Sequence, residues 1–443
     1  MKDKRITAVG LSLFLLISIS SASPQIEEPL FPFSSFTLEN GLTVILSVDK
    51  SLPLVSIVSA YKVGSSNDLP RKAGMAYLIE NLMMFHGSRN IGPMQNINYL
   101  NRIGGEFNAE TNADKSIFSQ TVPSNQLALV LWLESDRMNS LSINESSVQQ
   151  AKNSLIEEIL ITKTFNPYRE SAVYFDQLLY ANPAYSHPVI GTDINDIRDI
   201  SLDDVSNFFS MYYSPNNAVV SIVGNIDIRR TTELIRKYFE SIPSRKKPVP
   251  IILEKPKETS DIKEVFEHLL AASPGFYLGF RLSSPYTPDY YTLTIIDYLL
   301  LQGKSSRLYK KLLRPRIAFH LEGGIEIRKD FAVFKLMALT NEEMMKERSR
   351  RTVISEINRL RTNFVQEKEL QRAKNMFKVD YLKQFETTLG KALYLANTFL
   401  EKGHLDDLFS ELNKYMRITP SLVNGAMNTY FSKGSILLEI KIK

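Results

Sequence analysis

The feature that most constrains this chain of 443 residues is that its end repeats its middle. At a constant offset of 218 residues, Ile200-Ser201 answers Ile418-Thr419, Val205 answers Val423, Tyr212-Tyr213 answers Tyr430-Phe431 and Ser214 answers Ser432. In each copy a Ser or Thr stands where an N-cap oxygen would satisfy the free amide donors of a helix. An apolar-periodic helix follows, and a β-rich run closes the unit, Ala218 to Val223 in one copy and Ile436 to Ile442 in the other. Length alone suggests two to three domains. The repeat makes them two versions of one design.

Between the copies, the segment from Ser241 to Asp261 carries Pro243, Pro248, Pro250 and Pro256 among Arg245, Lys246, Lys247, Lys255 and Lys257. Repeated proline with charge is linker composition. Leu42 to Leu46 and Val55 to Val63 read as a strand pair opening the first half, and Gly275 to Leu282 as a strand of the second. Helical patterns lie between, at Gln126 to Met138 and Val148 to Lys163. The expectation is an α+β fold of two homologous halves. The halves span residues 23–244 and 262–443, joined by a Pro/Lys-rich linker at 245–261.

The N-terminus predicts a signal peptide over residues 1–22. Lys2, Lys4 and Arg5 precede an apolar run from Ile6 to Ile19, and Ser20, Ser21 and Ala22 follow as small cleavage-site residues. That run is shorter than the ~20 residues a membrane span needs, and no second run of spanning length follows it. An exported protein, periplasmic or secreted, is therefore expected. With no cysteine in the chain, neither a lipid-anchored cysteine nor a disulfide framework is available to it. The 53 basic and 48 acidic residues are scattered without the long basic runs of a nucleic-acid footprint. No nucleic-acid partner is expected.

The chemistry concentrates in one helix, Gly74-Met75-Ala76-Tyr77-Leu78-Ile79-Glu80-Asn81-Leu82-Met83-Met84-Phe85, which is apolar on most sides. Tyr77 and Asn81 stand four apart and share a face, with Glu80 beside them. Ligands at i and i+4 converge on one ion while a carboxylate between them reaches the bound water. Here the two ends are a phenol and an amide. Zinc prefers imidazole, thiolate or carboxylate, so this helix alone is not expected to hold it.

With these residues the chain resembles the pitrilysin/insulinase family of metallopeptidases, the inverted zincins with an H-x-x-E-H helix. Further blocks that resemble the family are Gly87-Ser88, Gly104 to Thr111, Leu131 to Met138, His187 to Gly191, Tyr213 to Ala218 and Gly303 to Leu308. The resemblance implies that Tyr77 and Asn81 occupy the two histidine positions, Glu80 the general-base position, and Glu158 the third-ligand position on a later helix. A second register, counted from Phe85, places Leu78 and Leu82 at the ligand positions, and both registers lack the histidines. Asn108, Ala109, Glu110 and Thr111 resemble the family strand that receives substrate by edge pairing, a mode in which the backbone carries affinity. The resemblance also implies LuxS/metallopeptidase-like halves, each a mainly antiparallel sheet covered by helices on one side.

Other signals are weaker. His86 lies about 140° around the helix from Asn81 and reads as a solvated or capping residue. His187, His268, His320 and His404 show no pair at ligand spacing. Gly303-Lys304-Ser305 lacks the glycine that a phosphate-binding loop needs five residues earlier, where Tyr298 stands.

The resemblance implies dimers that enclose a peptide-holding chamber, some pairing a zinc-bearing chain with a metal-free one. The leading expectation is the metal-free, peptide-binding subunit, with no metal of its own, partnered by a zinc-bearing paralogue or by itself. The alternatives are an active zinc endopeptidase with an atypical ligand set including Glu158, and a stand-alone peptide-binding protein.

Overall fold

A computed structural model describes residues 31–443 except 181, 247, 249–259, 269–270, 407, 409, 433 and 443. The expected signal peptide, and all of the expected linker apart from residues 245, 246, 248, 260 and 261, lie outside the described residues.

The first half contains β1 (Ser34–Thr37), β2 (Thr43–Val48), β3 (Leu54–Tyr61), α1 (Met75–Phe85), α2 (Gln95–Arg102), β4 (Glu106–Thr111), β5 (Ser116–Pro123), α3 (Leu127–Ser140), α4 (Glu145–Phe165), α5 (Arg169–Tyr180), α6 (Ile194–Arg198), α7 (Leu202–Tyr212), β6 (Ala218–Gly224) and α8 (Ile228–Phe239). The second contains β7 (Ile262–His268), β8 (Gly275–Leu282), α9 (Pro288–Leu300), a π-helical turn at Tyr309–Leu313, β9 (His320–Ile327), β10 (Ala332–Leu339), α10 (Glu343–Thr362), α11 (Glu367–Lys383), α12 (Thr388–Lys402), α13 (Glu411–Met416), α14 (Pro420–Tyr430) and β11 (Ile436–Ile442).

The sheets repeat one topology, β1-β2-β6-β3-β5-β4 in the first half and β7-β11-β8-β10-β9 in the second. Each has a single parallel pair, β2 with β6 and β7 with β11, and is otherwise antiparallel. The N-caps read from the repeat are both made. Ser201 Oγ accepts from the Asp204 amide at 3.2 Å and Thr419 Oγ1 from the Leu422 amide at 3.3 Å.

One expectation fails in detail, because β2 and β3 are not a pair. The strand that closes the half, β6, inserts between them and bonds to both. Sequence neighbours need not be sheet neighbours: β6, every residue of which is buried, takes an interior place by pairing with both.

That burial has a cause in the other half. One face of the first sheet packs on helices of its own half, with Val44, Leu46, Ile57, Val220 and Ile222 against Leu78, Leu82 and Leu131. The opposite face, with Ile45, Val58, Ala60, Val219 and Val223, is covered by Ala392, Leu395 and Ala396 of α12 from the second half. The exchange is mutual. Phe175 and Leu179 of α5, from the first half, lie on Tyr277, Val333, Met337 and Leu438 of the second sheet. Because side chains alternate along a strand, burial on both faces replaces the polar-apolar alternation of a half-solvated strand with nearly unbroken apolar runs such as Ala218 to Val223, interrupted only by the buried Ser221.

Helix α12 is delimited for this role. The Thr387 hydroxyl accepts from the Gly390 amide at 3.0 Å at its start, and Gly403, at φ +77°, ends it in the left-handed region. Polar links fasten it further, with Ser56 Oγ 2.8 Å from Thr388 Oγ1, and Lys391 Nζ 2.5 Å from Asp49. The partner contact draws the Asp49 carboxyl down to about 2.

Leu395 is fully buried in this exchanged contact, so Leu395→Ala should cost about 2–5 kcal/mol. The chain has a single tryptophan, Trp132, in the other half. Its fluorescence in a urea titration should shift to lower denaturant together with the far-ultraviolet circular dichroism. An unchanged Trp132 transition would contradict the interdependence of the halves.

Candidate functional site

The site is built where α1, α4 and β4 meet. Helix α1 starts at a close approach of backbone. Gly74 and Gly191 both have φ +99°; a Cβ on Gly74 would lie 2.7 Å from the Ile190 carbonyl oxygen, and one on Gly191 2.7 Å from that of Ala73. The segment His187 to Gly191 therefore acts as a seat for the helix start, and Arg169 Nη2 donates to the Gly191 carbonyl at 2.8 Å. Asp68 receives the free amides of the first turn, Gly74 N at 2.7 Å and Ala76 N at 2.9 Å.

Beyond the end of α1, Ser88 donates to Asp136, and Asn90 Nδ2 donates to the same carboxylate at 2.5 Å, tying the loop to α3. The same helix supports β4 from behind. The Arg137 guanidinium lies over the rings of Phe107 and Phe118, 4.8 Å and 4.6 Å from their centroids, and pairs with Glu134.

On this frame Tyr77, Glu80 and Asn81 turn to one side of α1 while Leu78 and Leu82 are fully buried in the core. The Tyr77 hydroxyl donates to Glu158 of α4, 3.2 Å from Oε1 and 3.4 Å from Oε2. Burial, and then the charges of Glu158 and Glu80, push the Tyr77 phenol above its usual range, so at neutral pH it is a neutral donor.

Burial also raises the Glu80 carboxyl; Thr111 opposes the rise, and the nearby charges of Glu110 and Glu158 add to it. Among the described residues, Glu80 Oε2 and Asn81 Oδ1 are buried without a hydrogen-bond partner. Asn108, Ala109, Glu110 and Thr111 lie on β4, the edge of the sheet, which bonds only to β5. Asn108 and Glu110 are exposed, while Ala109 packs on the core. The site thus joins an acceptor-rich helix face to a strand edge that can take another strand.

The residues present do not fit zinc. Tyr77 offers a protonated phenol and Asn81 an amide, both weak zinc donors. Of the three ligand positions only Glu158 offers a suitable donor, and a single carboxylate, here accepting the Tyr77 hydroxyl, does not make a zinc site. Among the described residues, no group of three or more His, Cys, Asp or Glu is placed to hold a metal ion. Of the two readings, solvated or capping, the structure gives the second: His86 is the C-cap residue of α1 and is buried, and burial lowers its pKa.

The second half carries an echo that was not read from the sequence. Helix α9 precedes the β9–β10 hairpin as α1 precedes β4–β5, and its Tyr298 hydroxyl donates to Asp380 of α11 at 3.0 Å. Gln302 follows Tyr298 by four positions, as Asn81 follows Tyr77. A tyrosine bonded to a carboxylate of a later helix thus occurs in both halves. Tyr77, however, is in the first turn of α1 and Tyr298 in the last turn of α9, and Gln302 lies past the helix and donates to Asp297 at 3.0 Å. The signal was present as Tyr-x-x-x-Asn and Tyr-x-x-x-Gln.

Two halves of this topology with a helix pair beside a sheet edge define a two-domain, peptidase-like protein. Residues 44–180 match the family profile described as Insulinase (Peptidase family M16), and residues 199–377 the one described as Peptidase M16 inactive domain. The chain belongs to this family, the pitrilysin/insulinase peptidases. It is 26% identical over 431 residues to Zinc protease PqqE of Helicobacter pylori, covering 96% of this chain and 95% of that protein. To the uncharacterized zinc protease YmxG of Bacillus subtilis it is 22% identical over 409 residues, 90% of this chain and 95% of that protein. Among solved structures, a protease from Helicobacter pylori superposes with a TM-score of 0.88 at 25% identity, over 93% of this chain and all of that one. A Pseudomonas fluorescens structure described as a peptidase M16 inactive domain superposes with a TM-score of 0.82 at 18% identity, over 93% and 98%.

The raised Glu80 carboxyl has a consequence for stability. A carboxyl whose folded value lies above its ordinary 4.5 makes ionisation costly to the folded state. The cost is absent below that pH, grows as pH rises toward the folded value and is constant beyond it. Glu80→Gln should therefore leave the melting temperature almost unchanged at about pH 4 and raise it at about pH 8. Thermal melts in the two buffers measure this, and a variant less stable than the wild type at the higher pH contradicts it.

Proposed function

We propose that this chain is a metal-free peptidase homologue that binds peptides and completes a chamber with a zinc-bearing relative or with a second copy of itself. The observation that carries the reading is the Tyr77–Glu158 hydrogen bond. Most of the second half matches the profile described as inactive, and it too bonds a tyrosine to a carboxylate of a later helix. Tyr77 and Asn81 stand at the ligand positions, Glu158 at the third, and Glu80 is an idle general base.

The edge of β4, Asn108 to Thr111 in particular, receives the peptide backbone, which needs no metal. Export, to the periplasm or beyond, is part of the proposal. It is supported by the N-terminal pattern and by the likeness to the periplasmic protease PqqL of Escherichia coli, TM-score 0.74 at 16% identity. Among the described residues no helix is long and apolar enough to cross a membrane.

A second reading is favoured by the names of the relatives, which are zinc proteases: a metal held by an atypical set including Glu158, with hydrolysis by this chain. Metal analysis of the purified chain separates the two. The proposal predicts far less than one zinc per chain and no peptide cleavage, whereas the paired change Tyr77→His with Asn81→His should raise zinc content toward one per chain. Stoichiometric zinc in the unaltered protein would overturn the proposal. A bound peptide should in addition slow hydrogen exchange along Glu106–Thr111, as added ladder bonds protect edge amides. Protection confined to other segments would move the binding site elsewhere.

A further inference from the structure

A second surface, on the outer side of the second half, is not used by the candidate site. Between Tyr298 and Leu321 the chain contains Lys304, Arg307, Lys310, Lys311, Arg314 and Arg316 and no acidic residue. The fold brings the middle of this stretch, the turn Tyr309–Leu313, against α10. There Met344, Arg348, Arg351, Ser355 and Arg359 follow one another at spacings of three and four and so form one stripe.

Two adjoining clefts, about 530 Å³ and 410 Å³, share Lys311, Glu356 and Arg359 in their walls. They make a continuous basic groove, with Met344 lining one cleft and Phe364 the other, each 67% exposed. Neutralisation is incomplete. Arg359 and Arg307 have Glu356 and Glu369, but Lys310, Lys311, Arg348 and Arg351 have no ion pair among the described residues. Partial burial, and then the charges of Arg372 and Arg314, lower the Lys310 ammonium pKa, with Glu369 offsetting only part.

We propose that this face docks the protein on an anionic lipid surface, with Lys311, Arg348 and Arg351 against the headgroups and Met344 and Phe364 in the interface. Like charges left unpaired on one stripe repel each other in the free protein and gain when an anionic surface neutralises them. A soluble polyanion would satisfy the cations equally well. The two projecting apolar side chains favour a bilayer, because they gain from an apolar boundary and nothing from a hydrated polymer. The attachment is peripheral and needs no spanning segment.

Co-sedimentation of the mature chain with lipid vesicles tests this. Vesicles of phosphatidylcholine mixed with phosphatidylglycerol should pellet the protein, those of phosphatidylcholine alone should not, and added salt should release it. Charge reversal by Lys311→Glu, Arg348→Glu and Arg351→Glu together should weaken binding by about 100-fold. These side chains are exposed, and unchanged circular dichroism verifies that the fold survives. Met344→Ser with Phe364→Ser should weaken vesicle binding while leaving retention on soluble dextran sulfate unchanged. The proposal is overturned if the two vesicle types bind alike, if charge reversal has no effect, or if dextran sulfate is retained while anionic vesicles are not.

Discussion

The structure depends on an exchange of helices. Each sheet has two apolar faces and only one set of helices from its own half, so either half alone would leave an apolar surface in water. Helix α12 covers the first sheet and α5 covers the second, and apolar burial of this kind is the main favourable term in folding. The exchange also carries function. Helix α5 follows α4 directly, so the segment that holds Glu158 is anchored at its far end in the other half. The geometry of the candidate site is thereby a property of the whole chain.

At the site the decisive contrast is between a donor and a ligand. A histidine at position 77 would present a nitrogen lone pair to a cation beside Glu158. Tyrosine presents a proton instead, and the carboxylate accepts it. Burial and neighbouring carboxylates keep that phenol protonated, which makes the hydrogen bond self-consistent at neutral pH. The supports around it are elaborate by comparison: the paired glycines Gly74 and Gly191, the Asp68 cap and the Arg137 prop beneath β4. In the proposed function these supports hold a peptide-binding edge in place, a task that survives loss of a metal.

Much of this was legible in the sequence, for physical reasons that differ by element. The repeat exposed both halves because each ends with a polar N-cap, an amphipathic helix and an apolar strand, and these signals are local. Helix α1 and the neighbourhood of Tyr77, Glu80 and Asn81 were legible because ligand spacing is set by helix geometry, and Glu158 followed from family resemblance. The pairing of β2 with β3 was misread because strand order is settled by long-range competition, which placed the apolar β6 between them. The helix exchange was hidden too, since periodicity shows that α5 and α12 have an apolar face and not which sheet receives it. Of the two readings of His86, capping was legible from its place just past the helix, whereas its burial comes from tertiary packing and was not. The basic groove was invisible for a similar reason: its charges come from separate segments, which only the fold brings together.

The central claim is that the Tyr77–Glu158 pair has replaced a metal site. Anomalous scattering from crystals grown with excess zinc, recorded at the zinc absorption edge, tests it at the atoms concerned. The account predicts no ordered peak among Tyr77, Asn81 and Glu158, with the tyrosine hydroxyl still bonded to the carboxylate. A strong peak there, with Tyr77 turned away from Glu158 and Glu80 facing the ion, would contradict it.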